Sequence, residues 1–173
     1  MEKFLYIVLS EGLLMKNIMI ISLVVFLIGC RESAERSIVI NAPINKVWSV
    51  VSDLGEHANF ITLIDSTTLF PKGEATIGAE WVVYGNYDYY AKNEIIAVEP
   101  MKRIETKLME HSWPMKGWNE TITLSEDSEN TMVLWKIDFN VKGVDNLILP
   151  IGKGAISDYV NSKLEDLKVK MEK

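Results

Sequence analysis

The chain has one cysteine and two histidines in 173 residues. A lone cysteine excludes an intramolecular disulfide, and so few thiols and imidazoles exclude a Cys/His zinc site. Basic residues are also short: 18 Lys and Arg stand against 24 Asp and Glu, a net charge of −6. Such a surface does not neutralise phosphates, which excludes nucleic acid as a partner. There is no Gly-x-Ser-x-Gly elbow, and Gly152-Lys153-Gly154 lacks the spacing and the Ser/Thr of a phosphate loop. No metal-ligand constellation, internal repeat or low-complexity tract is present, and nothing implies a cofactor. What remains is 48% hydrophobic and 24% charged residues. That is a globular composition, long enough for one domain with its own core.

The first 30 residues differ in kind from the rest. Residues 17–30 carry no charge, 18–28 are nearly all apolar, and Lys16 precedes them directly. A basic residue, a short apolar stretch and small residues at its end describe a secretory signal. The apolar run is too short to span roughly 30 Å of hydrocarbon comfortably. Its end, Leu27-Ile28-Gly29-Cys30, resembles a bacterial lipobox, with Ile28 where Ala, Ser or Thr is usual. That resemblance implies lipidation at Cys30 and a membrane-anchored, extracytoplasmic lipoprotein of the cell envelope. Arg31, rather than Asp, follows the cysteine, which by the same resemblance does not signal inner-membrane retention. Met15 is a natural start for such a signal. The competing reading is an uncleaved anchor helix enclosing Glu11 and Lys16, whose charges are costly mid-span. Residues 1–30 thus read as signal peptide, 31–35 as a short tether, and 36–173 as the folded domain.

Within that domain, Ser-Ile-Val-Ile in 36–41 is a β-branched strand. Asn41 is placed to cap the next helix, with Pro43 near its first turn. Val47, Val50, Val51 and Leu54 recur at helical spacing and predict a helix over 44–53. Gly55 ends it, and 56–61 form a second short helix or turn. Strand-like runs follow at 63–70, 78–84, 89–99, 102–109, 117–124 and 131–141, joined by short connections that favour an antiparallel meander. Ile156, Tyr159, Val160, Leu164, Leu167 and Met171 trace one face of a long C-terminal helix, whose start is left open by Pro150, Gly152 and Gly154. The pattern predicts an α+β domain in which six or seven strands and the last helix bury their apolar faces together.

Three segments carry a family resemblance. Ile38-Val39-Ile40-Asn41-Ala42-Pro43-Ile44-Asn45-Lys46-Val47-Trp48 resembles the opening of the SRPBCC superfamily, START-like and polyketide cyclase/dehydrase-like. Residues 94–104 resemble its central hairpin, and Leu164-Glu165-Asp166-Leu167-Lys168 its helix end. The resemblance spans 36–173. It implies a helix-grip fold, a curved antiparallel sheet wrapping the C-terminal helix with a hydrophobic-ligand cavity between them. It does not fix the chemistry, because one fold hosts carriers, cyclases and receptors.

Strand alternation then selects candidate site residues. The inward set is Val133, Trp135, Ile137, Phe139 and Val141 in the last strand. It is Trp118, Glu120, Ile122 and Leu124 in 117–124. In 89–99 it is Tyr90, Lys92, Glu94, Ile96 and Val98, and in 78–84 it is Trp81 and Val83, with Tyr84 also considered. A slip of one residue would reverse each assignment. Glu94 and Glu120 both point inward on this reading, one strand apart. Buried carboxyls of this kind serve general acid–base chemistry; the plainer alternative is pairing with Lys92 or exposure at the open end. Trp81, Trp118 and Trp135, with Tyr84, Tyr87, Tyr89 and Tyr90, either line a pocket or fill a solid core. His111-Ser112-Trp113-Pro114-Met115 is a lid, a membrane-dipping loop, or a loop tucked over its own core. His57 reads as a surface residue.

Three functions fit. The first is a membrane-tethered binder of a lipid or other hydrophobic small molecule, contacted by Trp81, Tyr84, Tyr90, Glu94, Trp118, Glu120 and Trp135. The second is a cyclase- or dehydratase-like enzyme using a cavity carboxylate or tyrosine. The third is a filled-cavity envelope interaction protein.

Overall fold

The structure, a computed structural model, describes residues 30–86, 88–112, 116–141 and 145–173. β1 (Cys30–Ile40) leads into α1 (Ile44–Val51) and a single 3-10 turn at Leu54–Asn59. The meander follows as β2 (Ile64–Phe70), β3 (Glu80–Gly85), β4 (Tyr89–Glu99), β5 (Arg103–His111), β6 (Lys116–Asp127) and β7 (Asn130–Val141). α2 (Asp145–Met171) closes the chain. It runs through Pro150, Gly152 and Gly154, where the sequence pattern left its first part open.

Every neighbouring strand pair is antiparallel, in the order β1-β7-β6-β5-β4-β3-β2. The order follows from the short hairpins, plus one return of the first strand to the last. Register shifts interrupt β2–β3, β4–β5 and β6–β7, and such bulges bend a sheet. At the β6 bulge Gly117 has φ +69°, and a Cβ there would lie 2.0 Å from Asn140 Nδ2, so only glycine fits. The curved inner face and α2 share one core, to which the sheet gives Trp81, Ile104, Ile122, Val133, Trp135 and Ile137, and the helix Val160, Leu164 and Leu167.

Polar contacts along its length fix α2 in this grip. Lys153 Nζ pairs with Glu32 at 3.0 Å. Asp166 accepts from the Thr62 backbone N–H at 2.8 Å, and Glu172 accepts from the Asn41 N–H at 3.0 Å. Asn41 therefore ties α2 to the end of β1 and does not cap α1, whose N-cap is Pro43 without a side-chain bond.

Two expectations about strands are corrected. Residues 31–35 are not a tether: β1 pairs with β7 from Cys30↔Val141 to Ile40↔Thr131. The extension is polar, with Ala34 its one buried apolar residue, so hydrophobic alternation did not mark it as a strand. In β4 the inward residues are Ala91, Asn93 and Ile95, one position out of phase with the expected set. The cause is the bulge between Ile95 and Ala97. Val98 packs on the core as expected, but the extra residue reverses the parity before it.

Candidate functional site

The inner face carries a row of directly opposed residues across four strands: Ile95, Thr106, Glu120 and Ile137. Glu120 is the ionisable member, and it is buried. α2 lays its apolar stripe over this row, and Lys163 lies in that stripe, four residues after Tyr159 and four before Leu167. Lys163 is 1% exposed, and its ammonium donates to Glu120 Oε1 at 2.5 Å. The same carboxylate oxygen accepts from Trp135 Nε1–H.

Aromatic rings enclose the ammonium. Lys163 Nζ lies 4.5 Å from the Tyr159 ring centroid, 4.7 Å from that of Trp135 and 6.0 Å from that of Trp81. Desolvated contacts of this kind contribute about 2 kcal/mol or more. Trp118 packs edge-on against Tyr159, with centroids 6.4 Å apart. His57 completes the shell from the 3-10 turn, 5.5 Å from Trp81 and 6.2 Å from Trp135.

The electrostatics follow from burial. Desolvation, then the nearby Lys163 charge, pushes His57 down to about 3, so its imidazole is neutral at ordinary pH. Its Nε2 lies 3.0 Å from the Val51 carbonyl, which only accepts. Nε2 therefore carries the proton and Nδ1 is a bare acceptor. Burial, then Glu120, raises Tyr159 well above the usual phenol range. Burial, with Tyr159 next, raises Tyr89 as well. Both tyrosines thus remain hydroxyl donors beside the carboxylate.

Among the described residues, three buried side-chain polar atoms have no hydrogen-bond partner: His57 Nδ1, Trp81 Nε1 and Thr106 Oγ1. Each unmade bond of this kind costs about 1–3 kcal/mol. All three belong to the shell around the Glu120–Lys163 pair.

The structure divides the residues singled out from the sequence. Trp81, Trp118, Glu120 and Trp135 are buried on the inner face. Tyr84, Tyr90 and Glu94 lie on the outer face. Tyr84 is 47% exposed and pairs across strands with Tyr90, ring centroids 5.4 Å apart. Glu94 lines an open groove of about 390 Å³ with Glu80, Lys92, Met109 and Glu110, where Lys92 pairs with Glu80 at 2.7 Å. Glu94 and Glu120 therefore stand on opposite faces, and no paired-carboxylate site forms between them. Residues 1–29, Tyr87 and Trp113-Pro114-Met115 lie outside the described residues.

Sequence reasoning missed two members of the site. Lys163 was legible as the one cation in an apolar helical stripe. His57, expected at the surface, is 1% exposed because the 3-10 turn folds it under the sheet between Leu54 and Ile61. The sequence marks a short helix or turn over 56–61, which the structure places at Leu54–Asn59, but it does not mark that His57 faces inward.

Comparison with known proteins follows this geometry. Residues 31–172 match the family described as polyketide cyclase / dehydrase and lipid transport. No curated protein sequence matches the chain. Among solved structures, a START superfamily protein from Mycobacterium smegmatis superposes with a TM-score of 0.67 at 11% identity, covering 81% of this chain and 97% of that one. Major latex-like protein 151 from Panax ginseng gives 0.64 at 16% identity, covering 82% and 97%. Truncated norcoclaurine synthase from Thalictrum flavum gives 0.64 at 12% identity, covering 82% and 93%. At such identities these three show the fold alone. The family match, the seven-stranded antiparallel sheet and the gripped C-terminal helix together make the chain a member of the polyketide cyclase / dehydrase and lipid transport family, an SRPBCC domain with the START-like helix-grip fold.

Proposed function

We propose that this protein binds a lipid or other hydrophobic small molecule between its sheet and C-terminal helix, while held at a membrane through Cys30. The observation that carries the binding reading is the polar cluster on the inner face. A core needed only for stability is best built from apolar side chains, and replacing a buried ion pair by packed hydrophobes is often neutral or stabilising. Here a carboxylate, an ammonium and three unpartnered polar atoms sit where the sheet meets the helix. Apolar walls with a few placed polar groups are the usual composition of a small-molecule site. For the cyclase- or dehydratase-like reading, Glu94 is set aside as the cavity carboxylate, because it lies on the outer face.

The tethering reading rests on the apolar run ending at Cys30. Among the described residues no helix is long and apolar enough to cross a membrane. On this proposal the attachment is the segment ahead of the sheet.

The test is native mass spectrometry with lipid extraction, on the full chain purified from a bacterial envelope. A near-stoichiometric apolar molecule and a lipid mass on Cys30 are expected. A bare polypeptide mass, with no thermal shift across a lipid and aromatic library, would overturn the binding reading in favour of a filled core. An unmodified, uncleaved chain would overturn lipidation.

A further inference from the structure

The groups around the Glu120–Lys163 pair define what the interior site accepts. The ammonium and the carboxylate are 2.5 Å apart and satisfy each other. A ligand carboxylate would have to compete with Glu120 for Lys163, and a ligand ammonium would have to compete with Lys163 for Glu120. Neither charge finds a free countercharge among these residues. Three neutral groups remain open. His57 Nδ1 accepts only, Trp81 Nε1–H donates only, and Thr106 Oγ1 does both. They flank the pair: Thr106 is the cross-strand partner of Glu120, Trp81 lies 6.0 Å from Lys163 Nζ, and His57 packs on Trp81.

A hydroxyl is the smallest uncharged group, with a single heavy atom, that answers a lone acceptor and a lone donor together: it gives one proton and receives another. We infer that the interior site binds an amphipathic molecule through a neutral hydroxyl head group held among His57, Trp81 and Thr106, and selects against the same chain ending in a carboxylate or an amine. The inference rests on the ligand-binding reading above and adds the chemical class of the ligand. A trapped water offers the same hydroxyl chemistry, and the experiment separates the two sources.

Full-chain protein is equilibrated with an equimolar mixture of decane, decanol, decanoate and decylammonium at pH 7. The bound mass is read by native mass spectrometry for the wild type and Thr106→Val. Thr106→Val keeps the side-chain shape, so its folding is checked simply by its melting temperature. The expected result is a decanol adduct at least about tenfold more abundant than each of the other three, because sites built to bond a hydroxyl reject analogues without it. Thr106→Val should reduce that adduct several-fold and leave decane unchanged. Equal adducts, or dominance by either charged amphiphile, would overturn the inference while leaving ligand binding intact. Equal decane and decanol with an indifferent Thr106→Val would assign the open atoms to water, and also overturn it. No adduct of any kind would overturn the binding reading itself.

Discussion

Lys163→Met is the perturbation with the clearest consequence. Methionine keeps the length of the stem and its packing, so the change removes the ammonium with little change in shape. The Glu120 carboxylate then remains buried with Trp135 Nε1–H still donating to it, but with no countercharge. Removing one partner of a buried pair destabilises by about 3–5 kcal/mol. The lost contacts with the Tyr159 and Trp135 rings act in the same direction. At about 2–4 °C per kcal/mol for a chain of this size, the melting temperature should fall by roughly 6–20 °C. The matched double variant Lys163→Met/Glu120→Leu removes both charges and restores an apolar interface. It should recover most of the loss and lie within about 1 kcal/mol of the wild type, or above it. Urea unfolding of wild type, both single variants and the double variant closes the cycle. Two additive single effects, with the double variant the least stable of the four, would refute the claim that the two charges are coupled.

Other predictions separate the inner face from the outer. His57 binds its proton only near pH 3 when folded, against the ordinary value of 6.5. Below pH 6.5 the unfolded chain therefore holds a proton that the folded chain refuses, so stability falls by roughly 2 kcal/mol between pH 6.5 and 5. His57→Gln should flatten that part of a pH series, and an unchanged slope would refute the assignment. Glu94→Gln and Tyr84→Ser, on the outer face, should each alter stability by less than about 0.5 kcal/mol and leave the mass of any co-purifying ligand unchanged. Gly117→Ala should destabilise by about 1–3 kcal/mol in denaturant titrations, because it meets both a positive φ and the Asn140 side chain. Six Gly/Ser residues inserted between Cys30 and Arg31 should leave the melting temperature within a degree or two. As a test of the anchor proposed at Cys30, they should also lengthen, in vesicles, the distance from the tryptophans to an acceptor lipid, read by energy transfer.

Most of the fold was legible in the sequence because hydrophobic periodicity marks elements that bury one face. Val133, Trp135, Ile137 and Phe139 announced β7 in the phase the structure shows, and Ile156 through Met171 announced α2. Legibility failed where periodicity is interrupted or absent. β4 contains a bulge, so residues read from its Ile96–Val98 end acquire the wrong parity by Glu94 and Tyr90. The first half of β1 is held by backbone pairing with β7, which leaves no hydrophobic signature. The site was half legible for a related reason. Strand alternation found Trp81, Trp118, Glu120 and Trp135, whereas Lys163 required asking what a cation does in an apolar stripe. His57 depends on a turn whose geometry is set by packing under the sheet.

The location of the unsatisfied groups argues that they belong to a site and are not scattered imperfections. Polar side chains buried elsewhere in the core find partners: Thr131 Oγ1 donates to the Ala42 carbonyl at 2.7 Å, and Asn93 Nδ2 donates to the Trp81 carbonyl at 3.3 Å. Buried groups that only stabilise a fold are almost always satisfied in this way. The three described exceptions all gather around one ion pair, where the inner face of the sheet and the 3-10 turn meet α2. Clustered costs of this kind persist where something other than stability maintains them, and a ligand that supplies the missing partners would turn each cost into binding energy. The same reasoning explains why the pair itself is neutral. With the two charges cancelling each other, the occupancy proposed above would depend on apolar area and on one matched hydroxyl, and not on a charged head group.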